Sequence, residues 1–181
     1  MKLKLSIYAA LCTALIAVGA YIKIPLPSVP LTLQFQFVNA AALLLGKKYG
    51  AAASCAYIAL GLAGLPVFAG GGGIGYLLRP TFGYVLAFPV GAYIAGAVCS
   101  RKYTFRRALA AGLANLAVVY AIGAAYFYLV SKYYLNTPVG ARFLFLYCFI
   151  ITGPFDAAMC FLSAKLAPRV AKALNLAQYE K

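Results

Sequence analysis

The chain has 181 residues, of which 65% are hydrophobic and only 10% charged. A soluble domain devotes about 25% of its residues to charge because its surface faces water, so most of this surface must face something else. Sixteen Lys and Arg against two acids give a formal charge of +14, and the lack of any His excludes His-based acid–base catalysis and His metal ligation.

Apolar runs long enough for bilayer spans, roughly 17–25 residues each, predict an all-α integral membrane protein with six transmembrane helices in one bundle. The expected spans are 5–22, 33–46, 49–65, 80–99, 106–131 and 154–172, forming a single domain over residues 1–181. No small-residue cleavage site follows the first span, so it reads as a span and not as a signal peptide. On it, Ala10 and Ala14, with Thr13 and Ala17 beside them, give overlapping small-x-x-x-small patterns. Small residues four apart let another helix approach closely, either inside the bundle or on a partner.

The loop 23–32 holds three prolines and almost no charge. Proline stiffens the chain and removes a donor, so this segment reads as a semi-rigid apolar strap. Gln34 and Gln36 follow at the start of the second span, and one of them is expected to face a pocket. The loop 66–75 is glycine-rich and flexible enough to fold back over a cavity. Its Gly70, Gly72 and Gly75 match G-x-G-x-x-G, but no strand–helix unit surrounds them, which excludes a dinucleotide site. Irregular backbone survives at membrane depth only beside protein or a water-filled cavity, so two apolar loops on one face predict a lidded pocket.

Arg79 precedes Pro80-Thr81 at the start of the fourth span. It serves either as a snorkelling anchor or as a bidentate clamp on a carboxylate. Asn115 lies within the fifth span, where an amide bonds between helices or touches a ligand. The stretch 143–152 is about half a span and reads as a short or re-entrant segment before the sixth helix. Gly153-Pro154 then marks a helix start, with Asp156 in its first turn. Asp156 is the one acid outside the C-terminal tail; it either caps the helix dipole or accepts hydrogen bonds from a ligand. Cys12, Cys55, Cys99, Cys148 and Cys160 are widely spaced in apolar segments and read as small buried residues with free thiols.

Alternating six spans sorts the basic residues. Lys2, Lys4, Lys47, Lys48, Arg101, Lys102, Arg106, Arg107, Lys165, Arg169, Lys172 and Lys181 fall on the side of the N-terminus. Lys23, Arg79, Lys132 and Arg142 fall on the other. The positive-inside rule therefore places both termini in the cytoplasm, and topology, not nucleic-acid binding, explains the surplus charge. No internal repeat is visible, which counts against an inverted-repeat secondary transporter.

The segments Pro-Leu-Thr-Leu-Gln (30–34), Leu-Leu-Leu-Gly-Lys-Lys-Tyr-Gly (43–50) and Gly-Leu-Pro-Val-Phe-Ala-Gly-Gly (64–71) carry a family resemblance. So do Pro-Thr-Phe-Gly-Tyr (80–84), Gly-Pro-Phe-Asp (153–156) and Leu-Ala-Pro-Arg-Val (166–170). Taken in order, they resemble the BioY family, the biotin-specific S components of energy-coupling-factor (ECF) transporters. The resemblance implies a non-catalytic subunit in a prokaryotic cell membrane that binds biotin near the outer face, with no cofactor. Its implied partners are a transmembrane coupling subunit, facing Ala10 and Ala14, and two ABC ATPases. It further implies that the 23–32 strap is a lid, that Asp156 accepts the ureido N–H groups of biotin, and that Gln34 lines the pocket. The family often carries a Lys three residues after this Asp to hold the vitamin's carboxylate. Here that position is Met159, and Arg79 is the substitute expected. Phe68 and Tyr84 are expected as apolar walls. An S component for thiamine or riboflavin, a membrane-embedded enzyme, and a purely structural assembly subunit remain open at this level.

Overall fold

A computed structural model describes residues 2–26, 30–99, 103–137, 139–140, 142–143 and 146–176. The strap's tip, residues 27–29, lies outside them, as do Arg101, Lys102 and Lys181 of the charge sorting. The described residues fold as an all-helical bundle. Its helices are α1 (Lys2–Tyr21), α2 (Gln34–Leu62), α3 (Phe82–Cys99), α4 (Phe105–Tyr133) and α5 (Gly153–Ala173).

Helix α2 contains the two segments expected at 33–46 and 49–65. They meet at Gly46, whose φ of 74° and ψ of −179° are not helical. That conformation is open essentially to glycine alone. The chain reverses there: a Cβ placed on Gly50 would lie 2.7 Å from Ala42 Cα. Eight residues along a straight helix would separate the two by about 12 Å. The arms 34–45 and 47–62 therefore run back against each other.

Helix α1 packs on α2, α3 lies between α2 and α4, and α5 closes against α2 and α4. On α1 the buried positions Ala9, Thr13, Ile16, Gly19 and Ala20 form one face. Thr13 Oγ1 lies 3.0 Å from the carbonyls of both Ala9 and Ala53, satisfying its hydroxyl inside the bundle. The opposite face exposes Leu3 at 76% and Ile7 at 58%, with Ala10 and Ala14 exposed between them and Val18. Exposed apolar side chains recur on every helix; such a surface is soluble in lipid and not in water. Among the described residues, α1, α3 and α4 are each long and apolar enough to cross a membrane. The two α2 arms are individually shorter, and α5 carries Asp156, Lys165, Arg169 and Lys172.

The loops sit on one end of the bundle. The strap forms a short antiparallel pair, β1 (Lys23–Ile24) with β2 (Leu31–Thr32), in the register Lys23 opposite Thr32. The glycine-rich loop does fold back, but as an ordered turn. Phe68 and Gly71 exchange backbone hydrogen bonds of 2.9 and 3.1 Å, Gly73 N donates to Gly61 O at 2.7 Å, and a 3₁₀ turn follows at Ile74–Leu78. Loop and strap are joined by Lys23 Nζ, which donates to Ala69 O at 2.5 Å, and by the Tyr21 hydroxyl, which donates to Pro66 O. Before α5, the expected short segment is a π-helical turn over Leu146–Ile151.

Candidate functional site

The strap, the glycine loop and helices α2 to α5 enclose a cleft with about 650 Å³ of empty space, its open mouth included. Its floor is polar. Asp156 is 8% exposed in the first turn of α5, after Pro154 starts the helix. Tyr120 of α4 donates to Asp156 Oδ2 at 2.6 Å. Its hydroxyl also lies 2.9 Å from Thr152 Oγ1, and since its one proton goes to the carboxylate, Thr152 is the donor there. Oδ1 of Asp156 has no hydrogen-bond donor among the described residues. A buried carboxylate keeping a free oxygen in a cleft is an acceptor for a ligand's N–H groups.

The walls are apolar and aromatic: Phe35, Tyr84, Val85, Phe88 and Val119. The Tyr84 and Tyr120 rings meet edge to face, centroids 6.1 Å apart and planes at 89°. Tyr84 fits because position 123 is glycine; a Cβ there would sit 2.3 Å from the ring. The mouth is framed by Pro30, Leu31 and Thr32 of the strap and by Ala69, Tyr76 and Thr81. Gln34 joins this edge with its amide engaged at both ends. Its Oε1 accepts from Thr32 Oγ1 at 3.1 Å, and its Nε2 donates to the Tyr57 hydroxyl, which donates to Val67 O at 3.0 Å.

The structure thus brings Asp156, Gln34 and Tyr84 into one cleft. Two other candidates stand behind its lining. Phe68 is 1% exposed and packs on Tyr57, Tyr76 and Phe82 at centroid distances of 5.3, 4.6 and 5.9 Å. Arg79 is exposed at the mouth, its guanidinium 4.9 Å from the centre of the Tyr76 ring. Met159 is half-buried and absent from the lining. Gln36 turns away to accept from Ser163 at 3.0 Å. Asn115 meets Asn39 at 3.4 Å between helices, outside the cleft. Sequence reasoning passed over Tyr120 and Thr152. The available signal was Tyr120 itself, a phenol in the middle of an apolar helix whose hydroxyl must find a partner.

Fold and site together define a helical membrane protein built around a cleft with an anionic floor and an apolar waist. The chain belongs to the BioY family, whose family model matches residues 1–176. It is 41% identical over 180 residues to the probable biotin transporter BioY of Lysinibacillus sphaericus, covering 95% of this chain and 92% of the relative. It is 49% identical over 118 residues to the biotin transporter BioY of Thermotoga maritima, covering 65% and 70%. Its fold matches a crystal structure of the S-component for biotin from an ECF-type ABC transporter. That match has a TM-score of 0.78 and 27% identity, and covers 94% of this chain and 92% of the other.

Proposed function

We propose that this chain captures biotin at the outer face of a prokaryotic plasma membrane as the S component of an ECF-type importer. The observation that carries this reading is Asp156, buried at the cleft floor with Oδ2 held by Tyr120 and Oδ1 unclaimed among the described residues. Biotin's ureido ring presents paired neutral N–H donors, which an anionic acceptor in a dry site binds with charge-assisted hydrogen bonds. Tyr84 and its aliphatic neighbours suit the thioether ring and valeryl chain, while Phe68 braces Tyr76 from behind. Gln34 fixes the strap's return to the mouth through Thr32. Arg79, on the rim, is placed for the carboxylate.

The chain crosses the membrane six times with both termini in the cytoplasm. The reversal at Gly46 supports two separate crossings within α2, and the basic residues sort twelve to four under that topology. The exposed Ala10 and Ala14 stripe offers close approach to a transmembrane coupling subunit, which links the protein to two ABC ATPases. The protein binds and hands over its ligand and performs no chemistry on it.

Calorimetric titration of the purified protein with biotin, thiamine and riboflavin tests the assignment. Saturable binding of biotin alone is expected. Binding of thiamine or riboflavin with none of biotin would overturn it.

A further inference from the structure

The cleft's charge is uneven from floor to mouth. Its one acid, Asp156, sits at the bottom. At the top, two cations from different segments converge on a single peptide of the glycine loop. Lys23, whose strand partner Thr32 lines the mouth, reaches across to place Nζ 2.5 Å from the carbonyl of Ala69, itself a lining residue. Arg79 approaches the next residue from the other side, its Nη1 2.1 Å from where a Cβ on Gly70 would lie. The guanidinium is held flat over Tyr76, another lining residue. Both cations are exposed, and neither has an acidic partner among the described residues. The sequence holds one acid besides Asp156, in the C-terminal tail.

We infer that Lys23 and Arg79 form a two-cation anion subsite at the mouth, which selects ligands that end in a free carboxylate. The inference rests on the biotin reading above and adds to it a second, strap-borne residue and a criterion of selectivity. Lys23 holds a neutral carbonyl, a weak partner for an ammonium, so an arriving carboxylate offers a stronger acceptor without requiring a salt bridge to break. The two attachment points then match a ligand with neutral donors at one end and one negative charge at the other. Ligands lacking either end lose one anchor.

Biotin and biotin amide, identical except for the terminal charge, distinguish this subsite from the rest of the cleft. The wild-type protein should bind the acid about tenfold or more tighter than the amide, the discrimination expected of a charge-assisted hydrogen bond. Added salt should weaken the acid and spare the amide, because exposed charges are screened. Lys23→Gln should lower affinity for the acid and leave the amide unchanged, collapsing the preference. Lys23→Arg, which keeps the charge, should retain it. Equal losses for both ligands in Lys23→Gln would mean that Lys23 only ties strap to loop, and would overturn the subsite. Wild-type protein that binds acid and amide equally would also overturn it while leaving the biotin assignment intact. Wild-type protein that binds neither ligand overturns both.

Discussion

Tyr120 of α4 donates its phenolic proton to Oδ2 of Asp156 in α5 across 2.6 Å, and this bond fixes the acceptor at the floor of the cleft. The same hydroxyl receives the proton of Thr152, so three side chains from two helices and the turn between them share one network. Orientation of the free carboxylate oxygen depends on the phenol as much as on the helix that carries Asp156.

Asp156→Asn keeps the shape and removes the charge, leaving one acceptor oxygen where there were two. Biotin affinity is expected to fall about 100-fold, roughly 2.7 kcal/mol, with the folded protein recovered in normal yield. Unchanged affinity in a calorimetric titration would return Asp156 to a capping role at the start of α5.

Tyr120→Phe strands both Asp156 Oδ2 and the Thr152 hydroxyl without altering the wall's shape. Affinity should drop about tenfold, since the loss is one hydrogen bond to an ionised acceptor. A lower melting temperature with unaltered biotin affinity would show that the bond serves folding alone.

Gly123→Ala places a methyl group where the Tyr84 ring now lies, 2.3 Å from its nearest atom. The ring must swing out of its edge-to-face contact with Tyr120, and the cleft's waist changes shape. Biotin binding is expected to weaken by about tenfold, at a stability cost of about 1–3 kcal/mol for overpacking. Wild-type affinity in this variant would remove Tyr84 from the binding wall.

Gly46→Ala tests the reversal of α2. A Cβ at φ 74° and ψ −179° costs about 1–3 kcal/mol. A thermal-unfolding midpoint several degrees lower is expected in detergent, with biotin affinity preserved at low temperature. No change in the midpoint would mean that the backbone there tolerates a side chain.

Ala10→Trp, on the outward stripe of α1, should leave biotin affinity within about twofold because nothing in the bundle contacts that face. Co-purification with the coupling subunit should be lost. Collapse of affinity as well would place the stripe inside the protein's own packing.

Much of this was legible in the sequence. Composition and span length pointed to apolar helices, and Gly153-Pro154 marked the start of α5 with Asp156 in its first turn. Gly46 could be read as a boundary, but not as a sharp reversal, because its left-handed φ is set by the packing of the two arms and not by its neighbours. Gln34 and Gln36 were indistinguishable from local pattern; facing Thr32 or Ser163 is decided by the rotation of α2 against the strap and α5. Phe68 had the right chemistry for a wall, yet the turn at Phe68–Gly71 points it back into the Tyr57, Tyr76 and Phe82 cluster. Tyr120 needed tertiary structure: its distance of 36 positions from Asp156 leaves no periodicity to find.

The fold-back at Gly46 gives α2 the form of a tuning fork. Its stem is one residue, and its open end holds Gln34 on one tine and Tyr57 on the other, bridged by their own hydrogen bond. A fork pinned at stem and tips cannot splay, so α2 meets the vitamin as a fixed jaw. Any adjustment as the cleft fills or empties is left to the parts that close on it, the proline strap and the glycine loop.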